Sequence, residues 1–164
     1  MRFARHIRQP FEKYIKPRFA GLPIRYLEVG VFEPECLIWM FANILTNPDS
    51  IADVVGIKGN SHELLGAGPN DRCIIHNMSY KDCTSISGSS YDMIFIDGSS
   101  DYDTVLQAAQ HLHRLVVPRG LMVFDDCHLT RIAKAVRQFT EISGKECTYS
   151  TCYETRCQRC LQIW

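Results

Sequence analysis

The stretch Tyr91–Asp126, YDMIFIDGSSDYDTVLQAAQHLHRLVVPRGLMVFDD, decides the fold of this chain. Met93–Ile96 is a short apolar run stopped by Asp97-Gly98, and it suits a strand buried on both faces. Tyr102, Val105, Leu106, Ala109, Leu112 and Val116 then recur at helical spacing until Pro118-Arg119-Gly120 ends the helix. Leu121–Phe124 is a second buried run, closed by Asp125-Asp126. A strand, a crossover helix and a strand make a right-handed parallel unit, so both strands end at the same edge of the sheet. Asp97, Asp125 and Asp126 are therefore expected at one rim, the edge where open parallel sheets bind their ligands.

Working outward, the same alternation continues. Arg25–Val29 reads as the first strand, Gly30–Glu33 as a turn, and Pro34–Leu45 as a helix with proline at its favoured first position. Ile51–Ile57 reads as a second strand, Lys58–Asn70 as a turn-rich segment, and Arg72–His76 as a third strand. A helix is expected from Thr130 to Ile142, ended by Gly144, and then a strand pair at Cys147–Tyr153 and Arg159–Trp164. The fold expected is α/β: a Rossmann-like, doubly wound, mostly parallel seven-stranded sheet with an antiparallel C-terminal strand pair.

A length of 164 residues allows one domain with a real core, so residues 1–164 are expected to form a single domain. Its first 23 residues read as a basic helical leader. There Arg2, Arg5, Arg8, Lys13, Lys16 and Arg18 face only Glu12, interleaved with apolar residues such as Phe11 and Ile15. Three readings stay open for it: an amphipathic helix packed on the sheet, an organellar presequence, or a surface for an anionic partner. Pro10 and Pro17 argue against one unbroken helix. Eighteen basic and eighteen acidic residues leave no net field, which points away from nucleic acid and membrane surfaces. No apolar run approaches the ~18 residues of a membrane span, and no secretory signal is visible, so the cytoplasm is the expected location.

Eight cysteines are many for this length. Cys36, Cys73, Cys83 and Cys127 fall in or beside core elements, where thiols behave as small hydrophobes. Cys147, Cys152, Cys157 and Cys160 crowd the C-terminus. Reduced packing thiols, a disulfide and a structural zinc all remain open for them.

The segment Tyr26-Leu27-Glu28-Val29-Gly30-Val31-Phe32-Glu33, taken with IDGSSDY, VPRG and VFDD, resembles the class I S-adenosylmethionine-dependent methyltransferases, within them the small O-methyltransferase-like branch. The resemblance implies S-adenosylmethionine as cofactor and a small-molecule acceptor, with a homo-oligomer as one way of covering an otherwise open site. It implies that Glu28 holds the region around the methionine amino group, that Gly30 admits the cofactor closely, and that Val31 and Phe32 line its sulfonium. Asp97 joins this cofactor set, and Lys58 stands where relatives carry the acid that grips the ribose. By the same resemblance Asp97, Asp125 and Asp126 are candidate Mg2+ ligands, Asp97 and His128 candidate catalytic residues. Plain helix capping by the aspartates is the alternative reading.

Two departures weigh against turnover. Pro34 replaces a glycine in the cofactor loop, and Lys58 has no acceptor for two ribose hydroxyls. A catalytically degenerate binding module of the same fold is therefore the alternative function. A metal or redox role for the C-terminal cysteines is a third. A nicotinamide site has little support, since no G-x-G-x-x-G follows the first strand.

Overall fold

A computed structural model of the chain describes residues 5–30, 34–55, 71–97, 101–144, 147–153 and 156–162. The candidate residues Val31, Phe32 and Lys58 lie outside these, as do the ring of Pro34 and the side chains of Cys147, Cys152, Cys157 and Cys160.

Seven strands form one sheet: β1 (Arg25–Val29), β2 (Ile51–Val55), β3 (Cys73–His76), β4 (Tyr91–Ile96), β5 (Val116–Phe124), β6 (Cys147–Tyr153) and β7 (Arg156–Gln162). Their order is β3-β2-β1-β4-β5-β7-β6. The pairs β3–β2, β2–β1, β1–β4 and β4–β5 are parallel, whereas β7 runs antiparallel to β5, and β6 to β7. The strand order reverses between β1 and β4, so chain connections leave on opposite sides of that pair and open a crevice beyond it.

The strands read as continuous apolar runs because both faces are covered. Tyr26, Val54, Phe95 and Val123 point to one face, against α3 (Pro34–Asn43) and the N-terminal helices. Leu27, Val55, Ile94 and Phe124 point to the other, against α4 (Tyr102–Leu112) and α5 (Thr130–Ser143). The basic leader packs on the first face: Phe11, Ile15 and Phe19, spaced by four, are all buried, with the Phe11 ring edge-on to Phe95 at 5.3 Å. It is broken into α1 (Arg5–Pro10), a π turn (Phe11–Ile15) and α2 (Lys16–Phe19). The break follows from Pro17, which lacks an N–H and crowds the carbonyl four residues back, so the backbone widens one step earlier and Lys16 donates to the Phe11 carbonyl.

Several expected boundaries shift, and α3 stops at Asn43 instead of Leu45. The helix expected to reach Val116 ends at Leu112, and a 3-10 turn (His113–Leu115) leads straight into β5. The cause is a register shift: β5 pairs with β4 at Tyr91 and resumes at Met93, leaving exposed Pro118 and Arg119 to bulge between. At the end of that bulge Gly120 has no room for a β-carbon, which would sit 2.5 Å from Val116 Cγ1 and 2.9 Å from the Asp92 carbonyl oxygen. The left-handed position then falls to Arg119, at φ 67°. Between β3 and β4, where no element was expected, a 3-10 turn (Tyr80–Ser85) forms behind Ser79, whose N–H donates to the Asp82 carboxylate at 3.3 Å. The last strand begins at Arg156 instead of Arg159, opposite Tyr153. Among the described residues, no helix is long and apolar enough to cross a membrane.

Candidate active site

Three strand ends are stitched side by side. Gly30 gives its N–H to the Val55 carbonyl at 2.9 Å, Asp97 to Val29 at 2.8 Å and Asp125 to Ile96 at 3.1 Å. Each is the first residue past its own strand, so the parallel ladder runs one step further and sets Gly30, Asp97 and Asp125 along one rim. Gly30 makes its turn at φ 93°, a conformation that is strained for any residue with a β-carbon.

Glu28 lies two residues before Gly30 on β1, on the same face as Tyr26, and is 2% exposed. The Tyr26 hydroxyl donates to Glu28 Oε2 at 2.9 Å, and the thiol of Cys36, in the first turn of α3, is a second hydrogen-bond partner. Both partners are neutral. Loss of water therefore outweighs them and lifts the Glu28 carboxyl from its usual 4.5 to about 7. The effect is mutual: burial first, then the charges of Glu28, Asp97 and Asp125, push the Cys36 thiol well above its ordinary range. Burial first, then Glu28, does the same to the Tyr26 phenol. Cys36 thus sits where the fields of three acids overlap, and the crevice is electronegative.

The expected Mg2+ ligand set is not formed. Among the described residues no group of three or more His, Cys, Asp and Glu side chains is placed to hold a metal ion. Asp126 has a left-handed backbone, at φ 53°, and its Oδ1 lies 3.7 Å from His128 Nδ1. That separation is too long for a hydrogen bond. Asp125 is buried at the end of β5. His128, the expected base, stands on the loop before α5 beside Asp126.

Sequence reasoning missed the second buried acid. Asp53, in the middle of β2, is fully buried and accepts from Arg25 Nε at 2.8 Å, with His76 Nε2 2.7 Å away. Its charge is committed to these partners on the face opposite Glu28, so the described part of β2 offers no free strand-end acid to the rim. A cavity of about 220 Å3 was also missed. It lies between the Tyr80–Ser85 turn and the start of α4, lined by Lys81, Cys83, Thr84, Asp101, Thr104 and Gln107 among others. Pockets for drug-sized ligands run to roughly 300–1,000 Å3, so this one holds a fragment and not a nucleoside with its amino-acid tail.

The chemistry of the rim fits S-adenosylmethionine. Its sulfonium and ammonium are cations, matched by Glu28, Asp97 and Asp125 around Cys36, and Gly30 presents no side chain to its approach. A parallel sheet in this order with a glycine turn after its first strand is the fold of the class I S-adenosylmethionine-dependent methyltransferases. Solved structures agree. The chain superposes with TM-score 0.74 on a protein from Clostridium thermocellum described as an rRNA methylase, at 11% identity and covering 99% of both chains. Cofactor-bound Rv0187 from MTB gives 0.71 at 18% identity, covering 99% of this chain and 83% of that one. The O-methyltransferase TomG from Streptomyces achromogenes, in complex with S-adenosylmethionine, gives 0.68 at 18% identity, covering 94% and 78%. A family model described as a methyltransferase domain matches residues 27–127, more than half of the chain, and the chain belongs to that family. No curated protein matches it in sequence.

Proposed function

We propose that this chain transfers the methyl group of S-adenosylmethionine to an oxygen of a small hydroxylated molecule. The observation that carries the proposal is the rim itself: Glu28 and Gly30 at the end of β1 beside Asp97, in one electronegative crevice at the point where the strand order reverses. That TomG is an O-methyltransferase of the same fold favours oxygen as the acceptor.

In this reading Glu28 and Asp97 attract the cationic end of the cofactor, and Gly30 gives it room. By the family resemblance, Val31 and Phe32 are assigned to the sulfonium and Lys58 to the ribose. When bound, the cofactor supplies an electrophilic methyl group. The chain holds the acceptor oxygen in line with it, which is where most of the acceleration arises. His128 takes the hydroxyl proton on its imidazole, and Asp97 orients the acceptor.

Isothermal titration of the full chain with S-adenosylmethionine, followed by methyl transfer from labelled cofactor to a panel of phenols and catechols, tests the proposal. Saturable binding with label on oxygen is expected. Absence of saturable binding overturns it, and so does label found on RNA or on nitrogen alone.

One observation favours a second reading, a binding module without turnover. Asp53 is locked to Arg25 and His76, and Lys58 stands in the sequence after the second strand, so the described part of β2 offers the ribose no free acid. If that reading holds, Lys58→Asp combined with Pro34→Gly creates cofactor affinity that the parent lacks.

A further inference from the structure

Glu28 is held by neutral donors from two different elements. Tyr26 reaches it along β1 at 2.9 Å, and Cys36 reaches it from α3. All three side chains are buried, at 0%, 2% and 8% exposure for Tyr26, Glu28 and Cys36. A carboxyl in such a place needs no cation to stay folded while it carries a proton. Once it loses that proton, it needs one from outside.

We infer that Tyr26 and Cys36 are positioning residues that hold Glu28 as a proton-exchanging acid, so that a cationic ligand entering the crevice expels one proton from it. The inference rests on the proposed cofactor site and goes beyond it. The Glu28 O–H bond breaks, its electron pair stays on the carboxylate, the proton passes to solvent, and the ligand's ammonium or sulfonium supplies the compensating charge. Tyr26 and Cys36 each donate a hydrogen bond that favours the ionised form, so they set how readily the proton leaves.

The other titratable groups facing this acid work differently. The charges of Asp97 and Asp125 bear on the neighbouring Cys36, and Asp97 also on Tyr26. Cys73 on β3 feels Glu28 after its own burial, which lifts that thiol to about 11. Ionisation of Tyr26, Cys36 or Cys73 is therefore out of range near neutrality, and Glu28 is the group among these that exchanges its proton there.

Two measurements decide the matter. Infrared titration of the ligand-free chain is expected to show a protonated carboxyl band that disappears near pH 7, is missing in Glu28→Gln, and persists about one pH unit higher in Tyr26→Phe. Cys36→Ala, a second variant that spares the tyrosine, shifts it in the same direction by less. Calorimetry of S-adenosylmethionine binding at pH 6.5, in two buffers of different ionisation enthalpy, is expected to show about three-quarters of a proton released by the parent and none by Glu28→Gln. At pH 7 the Tyr26→Phe affinity falls about fivefold and recovers as pH rises. A Glu28 carboxyl already ionised at pH 5, binding without proton release, or superposable parent and Tyr26→Phe profiles would overturn this inference alone. If the cofactor fails to bind at every pH, the proposed function and this inference fall together.

Discussion

Glu28 and Asp53 are two buried carboxyls on neighbouring strands, one register step apart, since Glu28 pairs with Val54 and Leu27 with Asp53. Strand alternation sends them to opposite faces of the sheet. Asp53 meets a guanidinium and an imidazole; Glu28 meets a phenol and a thiol. Nearly equal burial therefore gives two different chemistries. A carboxylate with a cation inside the protein is part of the framework. One with only neutral donors is left to answer to whatever enters from outside.

Breaking the Asp53 side should have the largest effect. Asp53→Ala leaves Arg25 and His76 without their shared anion, and a loss of about 3–4 kcal/mol in urea unfolding is expected, tempered because Arg25 remains partly solvated. The Glu28 side should show itself through pH. A carboxyl whose folded value is about 7 against 4.5 unfolded binds more protons when folded, so its contribution is full below pH 4.5 and is lost as pH rises through 7. Unfolding of the parent between pH 5 and 8 should accordingly reveal a decline of up to about 3 kcal/mol that Glu28→Gln removes. A parent as stable at pH 8 as at pH 5 would erase the contrast between the two acids. Next in size, His76→Ala leaves Asp53 with Arg25 alone, and a loss of about 1 kcal/mol is expected in the same unfolding assay. Smallest, Arg119→Gly lies away from both acids and relieves a left-handed arginine, so a gain of under about 1 kcal/mol in thermal unfolding sets the baseline for the others.

The rim was readable from the sequence because a parallel crossover forces Asp97 and Asp125 to one edge whatever their side chains do. The start of α3 at Pro34 and the buried runs of β1 and β4 were readable for equally local reasons. Partnerships were not. Tyr26 and Glu28 share a face by simple alternation, but Cys36 joins them only when α3 docks, and no spacing rule announces that. The Asp53 cluster draws on three strands at a diagonal, with sequence separations of 28 and 23 residues. The Mg2+ expectation rested on residue type at the strand ends, which does not reveal how side chains group, and among the described residues no group of three or more potential ligands forms. The turn at Tyr80–Ser85 had a signal, Ser79 three residues before Asp82, that was passed over.

The last backbone donors of the rim have one more consequence. Because Asp97 and Asp125 hang from main-chain bonds, their α-carbons follow the strand separation of about 4.8 Å, and only Gly30 between them and β2 is tied to its residue type by its positive φ. Such a ledge can be re-lettered without being rebuilt: amide for carboxylate, or hydroxyl for either, alters what it attracts while every attachment point stays where it was.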